Sequence, residues 1–306
     1  MTAREPQTAP TPRPKGTGGS HGRDRRRLGL YLLLTPPLLW LGLLIILPHV
    51  QLLILSLKEK LGPRVYNYGL GNYIEFFGES IYWLTLMRTL FMSLVATVLT
   101  LLIAFPVAYY IAKMLRGRTK NFLFVLALLP FWVSELVRTL GWIIILRETG
   151  VISASLLALG IIGEPIELLG NDAAIIVGLV YTSMLFMVVP LITALDSLDD
   201  SLVEAAYDLG GNGLTVLREV IIPHAMPGII AGSIVVFMLT LGNVITPAFL
   251  GGKNSLWFTD QIYQKFIVRF NWEQGAAFGF LLLVVSSLTV WIGLKLTRQT
   301  LAATVR

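Results

Sequence analysis

Two ionisable side chains, Glu135 and Arg138, stand three residues apart inside the long apolar stretch 121–146. A charge in a bilayer core costs about 2.5–3.5 kcal/mol on insertion scales, so each needs a reason to be there. Three residues is close to one helical turn, which puts both groups on one face. Two readings follow: a mutually neutralising pair turned into a helix bundle, or a carboxylate, Glu135, on the route of a positively charged solute. Trp132, Tyr181 and Asn243 are the other residues that suit such a route, because aromatic faces attract organic cations. Aromatic residues in membrane helices also serve as packing and interface anchors, so both roles stay open for Trp132 and Tyr181. Arg88 is read as an outer-end residue that snorkels to the interface, and His49 and His224 as interfacial.

A second group of chemistry-bearing residues lies in a polar loop. It reads Glu204-Ala205-Ala206-x-x-x-Gly210 and closes at Val220-x-Ile222-Pro223. Across 196–223, Asp196, Asp199, Asp200, Glu204, Asp208 and Glu219 face the single Arg218, a net charge of −5. Ser201-x-x-Glu204 has the spacing of a capping box, which predicts a helix start. Leu202, Ala205, Ala206 and Leu209 recur at helical spacing as one small-residue apolar stripe. Gly210-Gly211-Asn212-Gly213 then supplies residues that accept left-handed backbone and end the helix. A second short helix is predicted over about 214–222. An amphipathic helix resting on lipid would be basic rather than acidic, since the inner leaflet is anionic. The loop therefore reads as a docking element for a protein.

Other chemistry is excluded. Cysteine is absent, so no disulfide or thiolate metal site can form, and His21, His49 and His224 are scattered. Gly251-Gly252-Lys253 lacks the spacing of a phosphate-binding loop, so the chain is not expected to bind ATP. An integral-membrane enzyme would need clustered His, Asp or Glu at a membrane face, and the only acidic cluster is the loop. A channel would leave the loop unexplained.

The elements that position these residues follow from composition. The chain has 306 residues, 55% hydrophobic and 14% charged, well below the charge content of soluble domains. The pI near 9.6 reflects basic residues that bracket apolar spans, not a nucleic-acid surface. About 20 apolar residues cross a bilayer as a helix, and six segments qualify: 28–57, 81–112, 121–146, 173–195, 224–250 and 275–296. Prolines 36, 37, 106, 130, 190 and 247 lie in or near them. Such breaks are tolerated where neighbours or water-lined cavities satisfy the backbone, as in transporters, though they are also ordinary kinks. With the N-terminus inside, 15 of the 24 Lys and Arg fall in inner segments, seven in outer ones, and Arg88 and Arg138 within spans. That bias predicts both termini, and the loop, on the cytoplasmic side. Residues 1–27 are predicted to be a disordered basic tail, and the long apolar run after Arg27 a retained first helix rather than a cleaved signal.

The loop resembles the EAA motif of inner-membrane permease subunits of binding-protein-dependent ABC importers. Glu204, Ala205, Ala206, Gly210 and Pro223 match at the motif's spacing, and Val220 and Ile222 replace its Ile and Leu. The resemblance covers about residues 81–296. Pro130-Phe131-Trp132-Val133-Ser134, Arg138-Thr139, Trp142, Leu250-Gly251-Gly252, Asn271-Trp272 and Gly275-Ala276-Ala277 resemble the spermidine/putrescine branch. Permeases for iron, thiamine, sulfate, opines or phosphonates share parts of these motifs. One departure is Gly242-Asn243, where relatives commonly carry Gly and an acid; Glu135 is the candidate to supply the missing charge.

What the resemblance implies is an all-α six-helix membrane bundle of the type I importer kind, with both termini inside. Its parts would be a tail (1–27), a first helix and outer loop (28–80), the transporter domain (81–297, with the motif loop at 199–223) and a C-terminal tail (298–306). Glu204, Ala205, Ala206, Asp208, Gly210 and Pro223 would couple the bundle to a cytoplasmic ATPase dimer. That partner, not this chain, would bind ATP and Mg. A second permease, by resemblance a paralogue, and an extracytoplasmic solute-binding protein would complete the system in a bacterial inner membrane.

Overall fold

The computed structural model describes residues 21–62 and 65–296. They divide into a first unit ending at Leu52 and a second beginning at Leu53. The tails at 1–20 and 298–306 lie outside the described residues, and helix begins at His21, ahead of the predicted first span.

The first unit is most of helix α1 (His21–Ser56), which carries Pro36, Pro37 and Pro48. Its Tyr31–Ser56 segment, 26 residues of mean hydropathy 2.3, rises about 39 Å, enough to cross a hydrocarbon core of about 30 Å.

The second unit opens with a small antiparallel hairpin, β1 (Lys58–Gly62) and β2 (Val65–Tyr68), in the register Lys58–Tyr68, Glu59–Asn67 and Lys60–Tyr66. It is the only β-sheet among the described residues. Helices α2 (Gly71–Gly78), α3 (Ser80–Tyr109), α4 (Gly117–Leu128), α5 (Glu135–Leu146), α6 (Val151–Ala158) and α7 (Asp172–Asp196) follow. After them come α8 (Asp200–Asp208), α9 (Gly213–Val216), α10 (Ile222–Leu241), α11 (Ile245–Leu250), α12 (Phe258–Tyr263) and α13 (Trp272–Leu296).

Helices α3, α7 and α10 form the centre, with α7 against α10 the most extensive packing. Ala104, Ala108, Met187, Leu191, Leu195, Val216, Ala225 and Val236 make one buried cluster there. The close approach is set by Gly228 and Gly232, one turn apart on α10. A Cβ on Gly228 would lie 2.6 Å from the Pro190 carbonyl oxygen of α7, and one on Gly232 2.8 Å from Met187 Sδ. Small residues at this spacing let membrane helices gain packing contacts that the hydrophobic effect does not supply inside lipid.

Two predicted spans are not single helices. The third, 121–146, is α4, a 3-10 turn at Leu129–Trp132, two extended residues (Val133 and Ser134), then α5. Pro130 opens the tight turn, and Ser134 caps α5 by accepting the Val137 N–H. Each half has 12 residues and rises about 18 Å, so neither crosses the core alone. The apolar stretch of membrane length here is Glu135–Ala158, α5 with α6, not 121–146. The fifth, 224–250, ends as helix at Leu241, breaks at Gly242–Val244 and resumes as α11. The separate helix expected at 214–222 is instead continuous with α10, as α9 and a π-turn at Leu217–Ile221. In that turn the Ile222 N–H reaches back five residues to the Leu217 carbonyl. The widened turn accommodates Pro223, which has no N–H and whose ring crowds the preceding turn.

The motifs at 250–252 and 271–277 have packing causes. Gly252 faces Gly170, where a Cβ would fall 2.1 Å from the Gly170 carbonyl oxygen, and Gly170 N–H donates to the Leu250 carbonyl at 3.0 Å. Gly275 lies against the Phe266 ring, Ala276 and Ala277 are buried, and Asn271 accepts the Gln274 N–H to start α13.

Candidate functional site

Helix α8 presents the motif residues. Asp199, not Ser201, is its cap: the Asp199 carboxylate accepts the Ser201 N–H at 3.0 Å. Of the apolar stripe only Ala206 packs on the buried cluster, joined there by Val203. Leu202, Ala205 and Leu209 are exposed, Leu209 at 90%. The stripe thus faces outward, one register step away from the side the chain uses itself. Glu204 and Asp208 are exposed and have no hydrogen-bond or ionic partner among the described residues. Gly210 takes φ +85°, the left-handed turn that ends the helix. Asn212 then starts α9 by accepting the Thr215 N–H at 2.9 Å, and exposed Pro223 sits in the first turn of α10.

A basic turn fastens α8 to the bundle. Lys113, on the π-turn at Tyr110–Met114, donates to the Leu198 carbonyl and to Asp200 at 2.8 Å. Lys120 on α4 reaches Asp196 at 2.7 Å, and Arg116 lies 3.7 Å from Asp200. The Ser201 N–H is the main cause that lowers the Asp199 carboxyl below its ordinary range. For Asp200 the main cause is the Lys113 hydrogen bond, followed by the charge of the same ammonium.

The helix breaks of spans three and five face one another across a cleft of about 540 Å³. Glu135, Arg138 and Asn243 line it together with Phe131, Thr182, Ser183, Phe186 and Thr240. Glu135, the first residue of α5, is placed where a carboxylate is favoured by the helix dipole. Its Oε1 accepts a hydrogen bond from Asn243 Nδ2. Asn243 is itself held: its Oδ1 accepts the Thr246 N–H at 2.9 Å, and its carbonyl accepts the Thr259 hydroxyl at 2.6 Å. Arg138 donates to the Thr182 carbonyl at 3.4 Å, while its buried Nε has no partner among the described residues. The neutralising Glu135–Arg138 pair is not formed there.

The other two pathway candidates stand apart. Tyr181 packs edge-on against Trp142, with ring centroids 5.5 Å apart, and lines a smaller cavity of about 190 Å³ beside Arg138. Trp132 is 84% exposed and lines neither cavity. Phe131, Phe186, Thr182 and Ser183 were not singled out from sequence. Two adjacent hydroxyls in an apolar span were the available signal for the last pair, although both bond back to Leu179 of their own helix. Arg88 does more than snorkel: it pairs with both oxygens of Asp172 at 2.6 and 2.8 Å and with the Asn254 carbonyl, tying α3, α7 and the loop after α11 together.

Residues 104–300 match the family of binding-protein-dependent transport system inner membrane components. The chain is 33% identical over 255 residues to the spermidine/putrescine transport system permease protein PotB of Haemophilus influenzae, covering 83% of this chain and 88% of that one. It is 33% identical over 261 residues to PotB of Escherichia coli, covering 85% and 94%. Its backbone matches a chain of a bacterial alginate ABC transporter, solved with a periplasmic protein bound to an alginate pentasaccharide. There the TM-score is 0.71 over 90% of this chain and 96% of that one. At 16% identity this last likeness shows the fold alone.

Proposed function

The chain belongs to the family of binding-protein-dependent transport system inner membrane components, and from that premise we propose that it carries a polyamine such as spermidine or putrescine inward, driven by ATP hydrolysed on a separate subunit. The observation that carries the polyamine reading is the 33% identity, over more than four-fifths of the chain, to permeases named for those two solutes. The cleft agrees with it: the Glu135 carboxylate attracts an ammonium group, and the Phe131 and Phe186 rings beside it suit an alkyl chain and its charge.

The reading extends to the partners. With both termini inside, α8 faces the cytoplasm and offers an ATPase dimer an apolar strip of Leu202, Ala205 and Leu209 flanked by exposed Glu204 and Asp208. Closing of that dimer around ATP and Mg would move α8, and Lys113 and Lys120 would pass the movement to α3 and α4. A second permease, a paralogue of this one, would complete the cavity that receives solute from an extracytoplasmic binding protein. Selectivity is then shared with that binding protein.

A second reading has its own observation. The Arg138 guanidinium lines the same cleft and forms no ion pair among the described residues, which favours a solute that also carries an anionic group, such as an opine, an amino acid or a phosphonate. Uptake assays with the full complex in vesicles separate the two: polyamine-stimulated ATP hydrolysis and accumulation support the first, and stimulation by an amino acid or phosphonate alone supports the second.

A further inference from the structure

Glu135 and Arg138 lie one turn apart on α5, where opposite charges ordinarily meet. They do not pair among the described residues, although both line the same cleft. Each is drawn elsewhere: Glu135 to Asn243 Nδ2, and Arg138 to the Thr182 carbonyl at 3.4 Å. Asn243 can do this because its own orientation is set. Its Oδ1 is committed to the Thr246 N–H, which turns its amide N–H₂ toward the carboxylate, and an amide carries two donors.

We propose that Asn243 is a positioning residue that holds the Glu135 carboxylate away from Arg138, so that a negative charge stays available to a cationic solute in the cleft. This rests on the reading of Glu135 as a pathway residue. It also gives the Gly242-Asn243 departure a meaning: the span-five position supplies a hydrogen-bond donor for an acid that α5 provides. Without that donor Glu135 swings one turn and neutralises itself on Arg138.

The test uses the complete transporter in lipid vesicles and reads putrescine carried per ATP hydrolysed. Glu135→Gln should lower that ratio about tenfold, the scale of one hydrogen bond to a charged group. Asn243→Ser keeps an oxygen for the Thr246 N–H but is too short to reach Glu135, and should lower the ratio by a similar factor. In an Arg138→Gln background the same Asn243→Ser change should cause no further loss, because the competing partner is gone. An equal loss in both backgrounds would mean that Asn243 only braces the helix break, and would overturn the proposal. If Glu135→Gln leaves the ratio intact, the pathway reading of Glu135 falls and this inference with it. Asn243→Thr repeats the cycle if the serine variant does not reach the membrane.

Discussion

At the scale of single residues, the loop anchors have a defined pH dependence. The Asp199 and Asp200 carboxyls are lowered in the folded chain. A lowered carboxyl contributes its stabilisation fully above the unfolded value, about 3.9, and loses it as pH falls through the folded one. The anchoring of α8 should therefore be constant from about pH 8 to pH 5 and loosen only below about pH 4. A spin label at Ser201 reads this directly as mobility, and a transition near neutral pH would contradict it. The Arg88–Asp172 pair is two-pronged but only partly buried, so Arg88→Met should cost no more than about 1 kcal/mol, seen as a small fall in the melting temperature of the detergent-solubilised protein. What made these residues legible was chemical cost: an ion inside an apolar run stands out. The partners Asp172 and Thr182 did not stand out, being 84 and 44 positions away in sequence, and Asn243, 108 positions from Glu135, stood out for a missing acid rather than as a hydrogen-bond partner.

At the scale of elements, five of the six apolar spans were legible from length and hydropathy, and the loop helix from its motif and glycine stop; the third lies at Glu135–Ala158 rather than 121–146. The breaks were not. Hydropathy is continuous through 121–146, so Pro130 looked like one kink among several, whereas Val133 and Ser134 interrupt the helix fully. Gly242-Asn243 drew attention for a missing acid, while its structural role is to end α10. The cap at Asp199 in place of Ser201 is a contest between two good N-cap residues, which spacing alone does not decide. The outward turn of Leu202, Ala205 and Leu209 came from the tertiary choice of Val203 and Ala206 for the core. Two predictions belong here. Gly228→Leu should push α10 off α7 and cost about 1–3 kcal/mol by overpacking, read as reduced membrane yield and earlier thermal unfolding. Glu204→Lys should leave that yield normal and sharply reduce transport-coupled ATP hydrolysis, because the change sits on the exposed face of α8. Gly210→Pro should reduce that hydrolysis by breaking the turn, since proline cannot take φ +85° and removes the N–H donated to the Tyr207 carbonyl. Normal uptake by either variant would count against α8 as the coupling element.

At the scale of the whole molecule, the excess of Lys and Arg in inner segments predicts one sidedness for every loop. The chain has no cysteine, so a single Ser201→Cys variant can be labelled without background. A membrane-impermeant maleimide should reach it only when the cytoplasmic face is open, and labelling of intact cells would reverse the topology. The fold and the family agree on an importer permease. The most direct test of that activity is ATP-driven accumulation of labelled putrescine and spermidine by vesicles holding this chain with its ATPase, its paired permease and its binding protein. The account predicts accumulation that requires ATP and the binding protein and is reduced by Glu135→Gln. Accumulation of another solute with none of either polyamine would contradict it, as would a purified complex that contains no ATPase at all.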